Sequence, residues 1–173
     1  MRWDVHSERT LYRDQWVHLL AADVELPDGR HLDHRLVRTQ AGAGAVVIDD
    51  DCVLLIWRHR FITDTWGWEI PIGAIEKDEE PSQAAAREVE EETGWRPHQP
   101  LQPLIYTQPS PGLMTSEHHI YRAEGATHIG QPEDSFESER IAWVPLAEVP
   151  SLIAKRDITA ATTLVALLQC STA

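Results

Sequence analysis

"GAIEKDEEPSQAAAREVEEETGW", Gly73–Trp95, puts eight carboxylates into twenty-three residues around one arginine, Arg87. Pro81 suits a first helical turn, where its missing N–H costs nothing, and Gly94 suits the left-handed position just past a helix end. The stretch therefore predicts a helix between them. At about 100° per residue, Glu91 lies about 40° from Arg87, Glu88 about 100° and Glu92 about 140°, so all four share one face. Glu90 points elsewhere, into solvent. Ala85 and Val89 give a narrow apolar stripe beside the acidic arc. Like charges at these spacings repel, and acids in a last turn oppose the helix dipole, so local stability does not select the pattern. Hard oxygens gathered on one face suit Mg²⁺ or Mn²⁺. On spacing alone, a metal site and a solvated acidic face stand level.

The segments around the helix read mostly as strands. "LPDGR" (26–30) is a turn between two strand-like runs over 16–39. "AGAGAVVID" (41–49) and "DCVLLIWRHRF" (51–61) predict a hairpin with acids at its turn, and "WGWEIPIGA" (66–74) a short strand ending at Pro71 and Gly73. "PLIYTQPSPG" (103–112) predicts a strand running into a rigid loop, followed by a strand in 117–125 and, over 140–149, a strand turning into a helix start. A closing helix is predicted over 157–170, with Asp157 or Thr159 near its cap. Strands and helices mix without regular βαβ alternation, which predicts an α+β or αβα sandwich. The chain has 173 residues, which suits one domain with a full core and a short extra piece. Its formal net charge of −13 argues against a nucleic-acid or anionic membrane surface. No stretch reaches the length of a membrane span. Cys52 and Cys170 lie far apart without a CxxC, which points to a reducing, cytoplasmic setting. Cys52 reads as a small core residue. His118 and His119 are adjacent on a strand, so they face opposite ways and make a poor chelate.

The acidic segment resembles the Nudix box, G-x5-E-x7-R-E-U-x-E-E-x-G-U, with U a bulky apolar residue. Gly73, Glu79, Arg87, Glu88, Val89, Glu91, Glu92 and Gly94 fall on its fixed positions, and Trp95 stands where an aliphatic residue is more usual. The resemblance implies a Nudix αβα sandwich with a mixed β-sheet. It implies hydrolysis of a nucleoside diphosphate linked to another group, with Mg²⁺ as cofactor and Mn²⁺ as a possible substitute. Glu88 and Glu92 become metal ligands, Glu91 a ligand or close catalytic partner, and the Ile72 carbonyl a further ligand. Arg87 and Glu79 pair and orient the helix and the loop before it; Gly73 and Gly94 are structural.

Other segments resemble ADP-ribose pyrophosphatases. Pro111, in "SPG", lies sixteen residues beyond Trp95, where that group has its marker proline. "LIWRHRF…WGWEIPIGAIE" resembles the group's arginine-bearing strand and the lead into its box, with Ile72 where alanine is usual. The resemblance implies ADP-ribose as substrate, with AMP and ribose 5-phosphate as products. A nucleotide sugar, NADH or a dinucleoside polyphosphate is the alternative, as is a ligand-binding regulator without turnover. Residues 1–40 become an N-terminal β extension and dimerisation arm, and 41–173 the Nudix domain, in a homodimer. Arg60, with Arg58 on the same strand face, is a candidate phosphate or ribose contact. Glu117 is a candidate ribose contact. Trp16, Tyr12 or Trp68 could stack on the base, with Arg35 opposite. A glutamate on the loop after the box is the expected general base, with Glu139 preferred over Glu137; both also read as solvated loop acids.

Overall fold

The structure, a computed structural model, describes residues 2–133 and 138–171, and these divide into two compact units. The first unit combines Met1–Ala41 with Gln108–Glu117. Its sheet is β1 (Asp4–Arg13), β2 (His18–Glu25) and β3 (His31–Arg38), antiparallel in that order. Gly29, at φ +80°, closes the β2–β3 turn, a conformation glycine adopts without strain. β2 buries Leu20, Ala21, Ala22 and Val24, whereas every residue of β1 is exposed. The loop carrying Pro111 joins this unit through the backbone. Val37 N–H donates to the Leu113 carbonyl at 2.8 Å, and Thr115 N–H donates to the Val37 carbonyl at 2.9 Å.

The second unit holds Gly42–Thr107 and His118–Ala173. Its strands are β4 (Gly42–Asp49), β5 (Cys52–Arg60), β6 (Thr65–Glu69), β7 (Ile72–Ala74), β8 (Trp95–Pro97), β9 (Gln102–Thr107), β10 (His118–Glu124), β11 (Ala126–His128) and β12 (Arg140–Pro145). Its helices are α1 (Pro81–Thr93), α2 (Val149–Lys155) and α3 (Ala161–Ser171). The main sheet runs β12-β5-β4-β10-β9, and β10 is parallel to β4 while the other pairs are antiparallel. The sheet is mixed and lies between helices, as the αβα expectation requires.

Alternation along β4 makes the two layers. Ala43, Ala45 and Val47 pack with Ala84, Ala85 and Val89 of α1 on one face, while Val46 and Ile48 pack with Ile158, Ala166 and Leu167 on the other. Val89 is fully buried, so the narrow stripe read from the sequence is the seam that docks α1.

β4 and β5 form the expected hairpin, but only Ile48↔Val53 and Asp49↔Cys52 pair. Asp50 and Asp51 take left-handed conformations at the turn, which Asp tolerates better than most residues. Beyond it the strands diverge: β6 pairs with β5, and β7 pairs with Gly42–Gly44 of β4. The small "AGAG" residues permit this close approach. A Cβ on Gly44 would lie 2.4 Å from the Pro71 carbonyl oxygen.

The closing helix departs from expectation. The helix start read at the end of 140–149 is α2, from Val149, but α3 begins at Ala161 rather than at 157. The cause is a tertiary bond: the Asp157 carbonyl accepts from Trp68 N–H at 2.7 Å, and Ile158 is buried in the core. Cys52 is half-buried rather than a core residue.

Candidate active site

α1 begins at Pro81 and ends against Gly94, which adopts φ +71° and donates its N–H to the Glu90 carbonyl. Gly94 has a second constraint: a Cβ there would lie 2.2 Å from the Gly130 carbonyl oxygen. The following loop closes over the same helix end. Ile129 N–H donates to the Gly94 carbonyl, and Glu133 N–H donates to the Glu91 carbonyl, each at 2.9 Å. Trp95 is half-buried and meets Trp143 edge-on at 5.3 Å, so the indole fills the bulky apolar position at the end of the motif.

Arg87 is the hub of the acidic face. Its Nε and Nη2 donate to the two carboxylate oxygens of Glu79 at 2.9 and 3.0 Å. Its Nη1 donates to Glu88 at 2.8 Å and to Glu91 at 2.7 Å, and its Nη2 also donates to the Ala74 carbonyl at 3.0 Å. One guanidinium therefore ties the loop, the end of β7 and two helix carboxylates together, as a planar fork of donors can. The Arg87 hydrogen bonds hold the Glu79 carboxyl below its ordinary range. That contribution to stability is complete above the ordinary carboxylate pKa and is lost as pH falls through the lowered one. Glu90 points away from the cluster, as the helical angle requires, but it pairs with Arg96 rather than standing free.

Glu92 is held differently. It is buried, and so is Arg58, whose Nη2 donates to Glu92 Oε1. Ile72 N–H donates to Glu92 Oε2 at 2.9 Å. A carboxylate has about four lone-pair positions, so an orienting contact on each oxygen is compatible with a cation on the same group. Glu88 lies against the backbone of β7, where a Cβ on Gly73 would fall 2.2 Å from its carboxylate carbon. Gly73 thus makes the space that Glu88 occupies. Glu92 and Glu88 lie against Ile72 and Gly73, and Arg87 links Glu88 to Glu91; the side-chain exposures of Glu88, Glu91 and Glu92 are 12, 30 and 3%. Oxygen donors alone, partly screened from water, are the donor set that Mg²⁺ or Mn²⁺ takes.

Gly73→Ala tests the cradle. The methyl group displaces the end of a flexible side chain, so stability should change by less than about 1 kcal/mol. Turnover should fall about 100-fold, because the displaced group is one of the carboxylates expected to hold the metal. Thermal melts and steady-state kinetics on the same preparation check both.

Arg60 and Arg58 leave the same face of β5 for different partners. Arg60 is half-exposed and holds Glu69 of β6 through Nε at 3.0 Å and through Nη2. Trp68 is packed edge-on against Trp57 at 5.3 Å, beneath the Arg140 guanidinium. Glu139 is exposed, and its N–H donates to the Trp57 carbonyl at 2.8 Å. Glu137 lies outside the described residues.

Trp16, Arg35, Pro111 and Glu117 belong to the first unit. Trp16 is 68% exposed and lines a 250 Å³ cleft with Arg13, His18 and Arg38. Tyr12 donates its hydroxyl to Asp14. Arg35 is folded onto Asp33. Pro111 is exposed and Glu117 half-buried.

Two residues at the second unit's site escaped the sequence reading. Glu69 is buried under Arg60, and Glu133 lines a 510 Å³ cleft with Arg87, Glu90 and Glu91. Glu69 carried a signal, being a carboxylate inside an apolar strand. Glu133 carried none beyond being one more loop acid.

Comparison with known proteins agrees with this geometry. The NUDIX domain model matches residues 38–164, and the nucleoside diphosphate sugar hydrolase N-terminal domain model matches 3–37. The chain is 41% identical over 165 residues to the CMP-5'-(N-acetyl-N-hydroxy-3-aminopropyl)phosphonate hydrolase of Streptomyces rubellomurinus, covering 94% of this chain and 79% of that protein. It is 30% identical over 170 residues to the ADP-ribose pyrophosphatase of Bacillus subtilis, covering 93% and 91%. A crystal structure of an ADP compounds hydrolase superposes with a TM-score of 0.88 at 22% identity, covering 99% of this chain and 94% of that one. The chain belongs to the Nudix family and is a hydrolase of its ADP-ribose-pyrophosphatase-like group.

Proposed function

We propose that the protein hydrolyses a nucleoside diphosphate derivative in a divalent-metal-dependent reaction, with ADP-ribose as the leading substrate. Water adds across the P–O–P bridge and the products are AMP and ribose 5-phosphate. The observation that supports this most is the placing of Glu92 and Glu88 against Ile72 and Gly73, with Glu91 tied to Glu88 through Arg87 and Glu92 held by Arg58. Glu88, Glu91, Glu92 and the Ile72 carbonyl would hold Mg²⁺, with Mn²⁺ as a substitute. A divalent ion bound there neutralises pyrophosphate charge and lowers the pKa of a bound water.

The protein's own groups do the rest. Arg87 holds two of the carboxylates in place, and Arg58 orients Glu92 rather than reaching for substrate. Arg60, half-exposed on Glu69, contacts a substrate phosphate. Glu139, or Glu137, takes the proton of the attacking water. Trp16, Arg35, Pro111 and Glu117 are the proposed contacts to the nucleoside and ribose. The same reading takes the protein as cytoplasmic; among the described residues no helix is long and apolar enough to cross a membrane. It also takes the protein as a homodimer using residues 1–40, since an edge strand exposed along all of β1 can accept another strand.

A second reading is favoured by the Streptomyces relative, whose named substrate joins CMP to a phosphonate. The bond class is the same, and the base and the distal group differ. The test is a panel in Mg²⁺: ADP-ribose, ADP-glucose, GDP-mannose, NADH, a diadenosine polyphosphate and a CMP-linked phosphonate. The leading reading expects ADP-ribose to exceed the others about tenfold in kcat/KM, a difference of about 1.4 kcal/mol in transition-state binding. A lead for the CMP-linked phosphonate supports the second reading. Binding of ADP-ribose without turnover of any compound supports a regulator.

A further inference from the structure

We propose that His6, Glu25 and His31 form a second metal site, on the three-stranded sheet, for a divalent transition ion of the zinc class. The residues come one from each strand of β1, β2 and β3. Glu25 pairs directly with His31 in the ladder. His6 sits in an irregularity of β1, where the register shifts between Val5 and Ser7, and such bulges re-aim side chains. One ligand atom from each residue lies within 4.8 Å of the other two. His6 Nε2 is 2.6 Å from Glu25 Oε2, and the two imidazole rings are 5.2 Å apart.

A fourth residue supports the assignment. Asp23 lies two residues from Glu25 on the same strand, hence on the same face, and its Oδ1 is 2.7 Å from His31 Nδ1. A carboxylate bonded to one ring nitrogen fixes the ring and directs the other nitrogen outward. That is the usual support for a metal-bound histidine. His31 therefore offers Nε2, oriented by Asp23. His6 and Glu25 complete a set of two nitrogens and one oxygen, with water for the remaining positions.

The simpler alternative is two exposed histidine–carboxylate ion pairs. That alternative explains each contact separately, whereas one ion explains why ligand atoms from three strands gather within 4.8 Å of one another. Two imidazoles with a carboxylate favour zinc-class ions over Mg²⁺, whereas the α1 carboxylates favour the reverse. One chain thus carries two sites of different chemical preference. The ion would clip β1, exposed along its whole length, to β3 across the intervening strand. This inference does not depend on the substrate reading.

The test is a Zn²⁺ titration of the full chain by calorimetry in excess Mg²⁺, so that the α1 carboxylates are occupied. A parallel Co²⁺ titration follows the visible absorption of a nitrogen-ligated ion. One Zn²⁺ per chain is expected. His6→Gln and His31→Gln should each weaken binding at least about tenfold, and Asp23→Asn about 10- to 100-fold. The Co²⁺ absorption should disappear in the double histidine variant, with circular dichroism showing that the variant is folded. Equal Zn²⁺ binding by wild type and the double histidine variant would overturn the proposal. So would binding that is lost in Glu88→Gln instead, which would assign the ion to α1.

Discussion

Glu92→Gln should lower stability by about 3–5 kcal/mol and turnover by about 1,000-fold, and the two losses have different causes. The first comes from Arg58, which is 4% exposed and rests on Glu92. Neutralising its partner breaks a buried charge pair and leaves the guanidinium less compensated. The second comes from removing one carboxylate of the proposed metal set, whose work is to stabilise charge in the transition state. A double variant, Arg58→Met with Glu92→Met, separates them. Replacing both members of a buried pair with apolar groups removes the buried charge along with its partner. It leaves the Ile72 N–H without its Glu92 acceptor, at about 1–3 kcal/mol. The double variant should therefore be more stable than Glu92→Gln and equally inactive. Denaturant melts of the three proteins with parallel kinetics decide this. Activity that returns with stability would mean that Glu92 serves the fold alone.

Glu88→Gln should show the reverse balance. Glu88 accepts from Arg87 Nη1, but Arg87 also holds Glu79, Glu91 and the Ala74 carbonyl. Losing one of these contacts removes a favourable charge pair and some repulsion among the helix acids together, so stability should change by less than about 1 kcal/mol. Turnover should fall about 100- to 1,000-fold, with wild-type melting behaviour. A loss of turnover in proportion to a loss of folded protein would contradict the assignment.

The contrast between these two glutamates shows what a sequence can carry. Arg87, Glu88, Glu91 and Glu92 are neighbours on a helix whose ends are written locally by Pro81 and Gly94. Their shared face follows from the helical repeat. Gly73 and Glu79 add the loop, and the motif spacing links them to the helix. Nothing local says that Arg58 lies on Glu92, because the two are 34 residues apart and meet only through the packing of β5 against α1. The same holds for Arg60 and Glu69, which join across a strand pair that forms because β4 and β5 diverge. Both arginines look alike in "WRHR"; burial decides that one is internal and the other half-exposed. The docking of 108–117 into the first unit depends on backbone bonds from Val37, which a loop rich in proline and glycine does not announce. The displaced start of α3 has a similar origin, since the Asp157 carbonyl bonds Trp68 instead of opening a helix.

The acidic face of α1 is expected to act through a divalent ion. The most direct measurement is ADP-ribose hydrolysis by metal-stripped protein as Mg²⁺ is added back, with wild type and Glu88→Gln compared side by side. Turnover should be absent without the ion, recover saturably in wild type, and recover about 100-fold or more weakly in the variant. Full turnover by metal-stripped wild type, or equal recovery in Glu88→Gln, would contradict it.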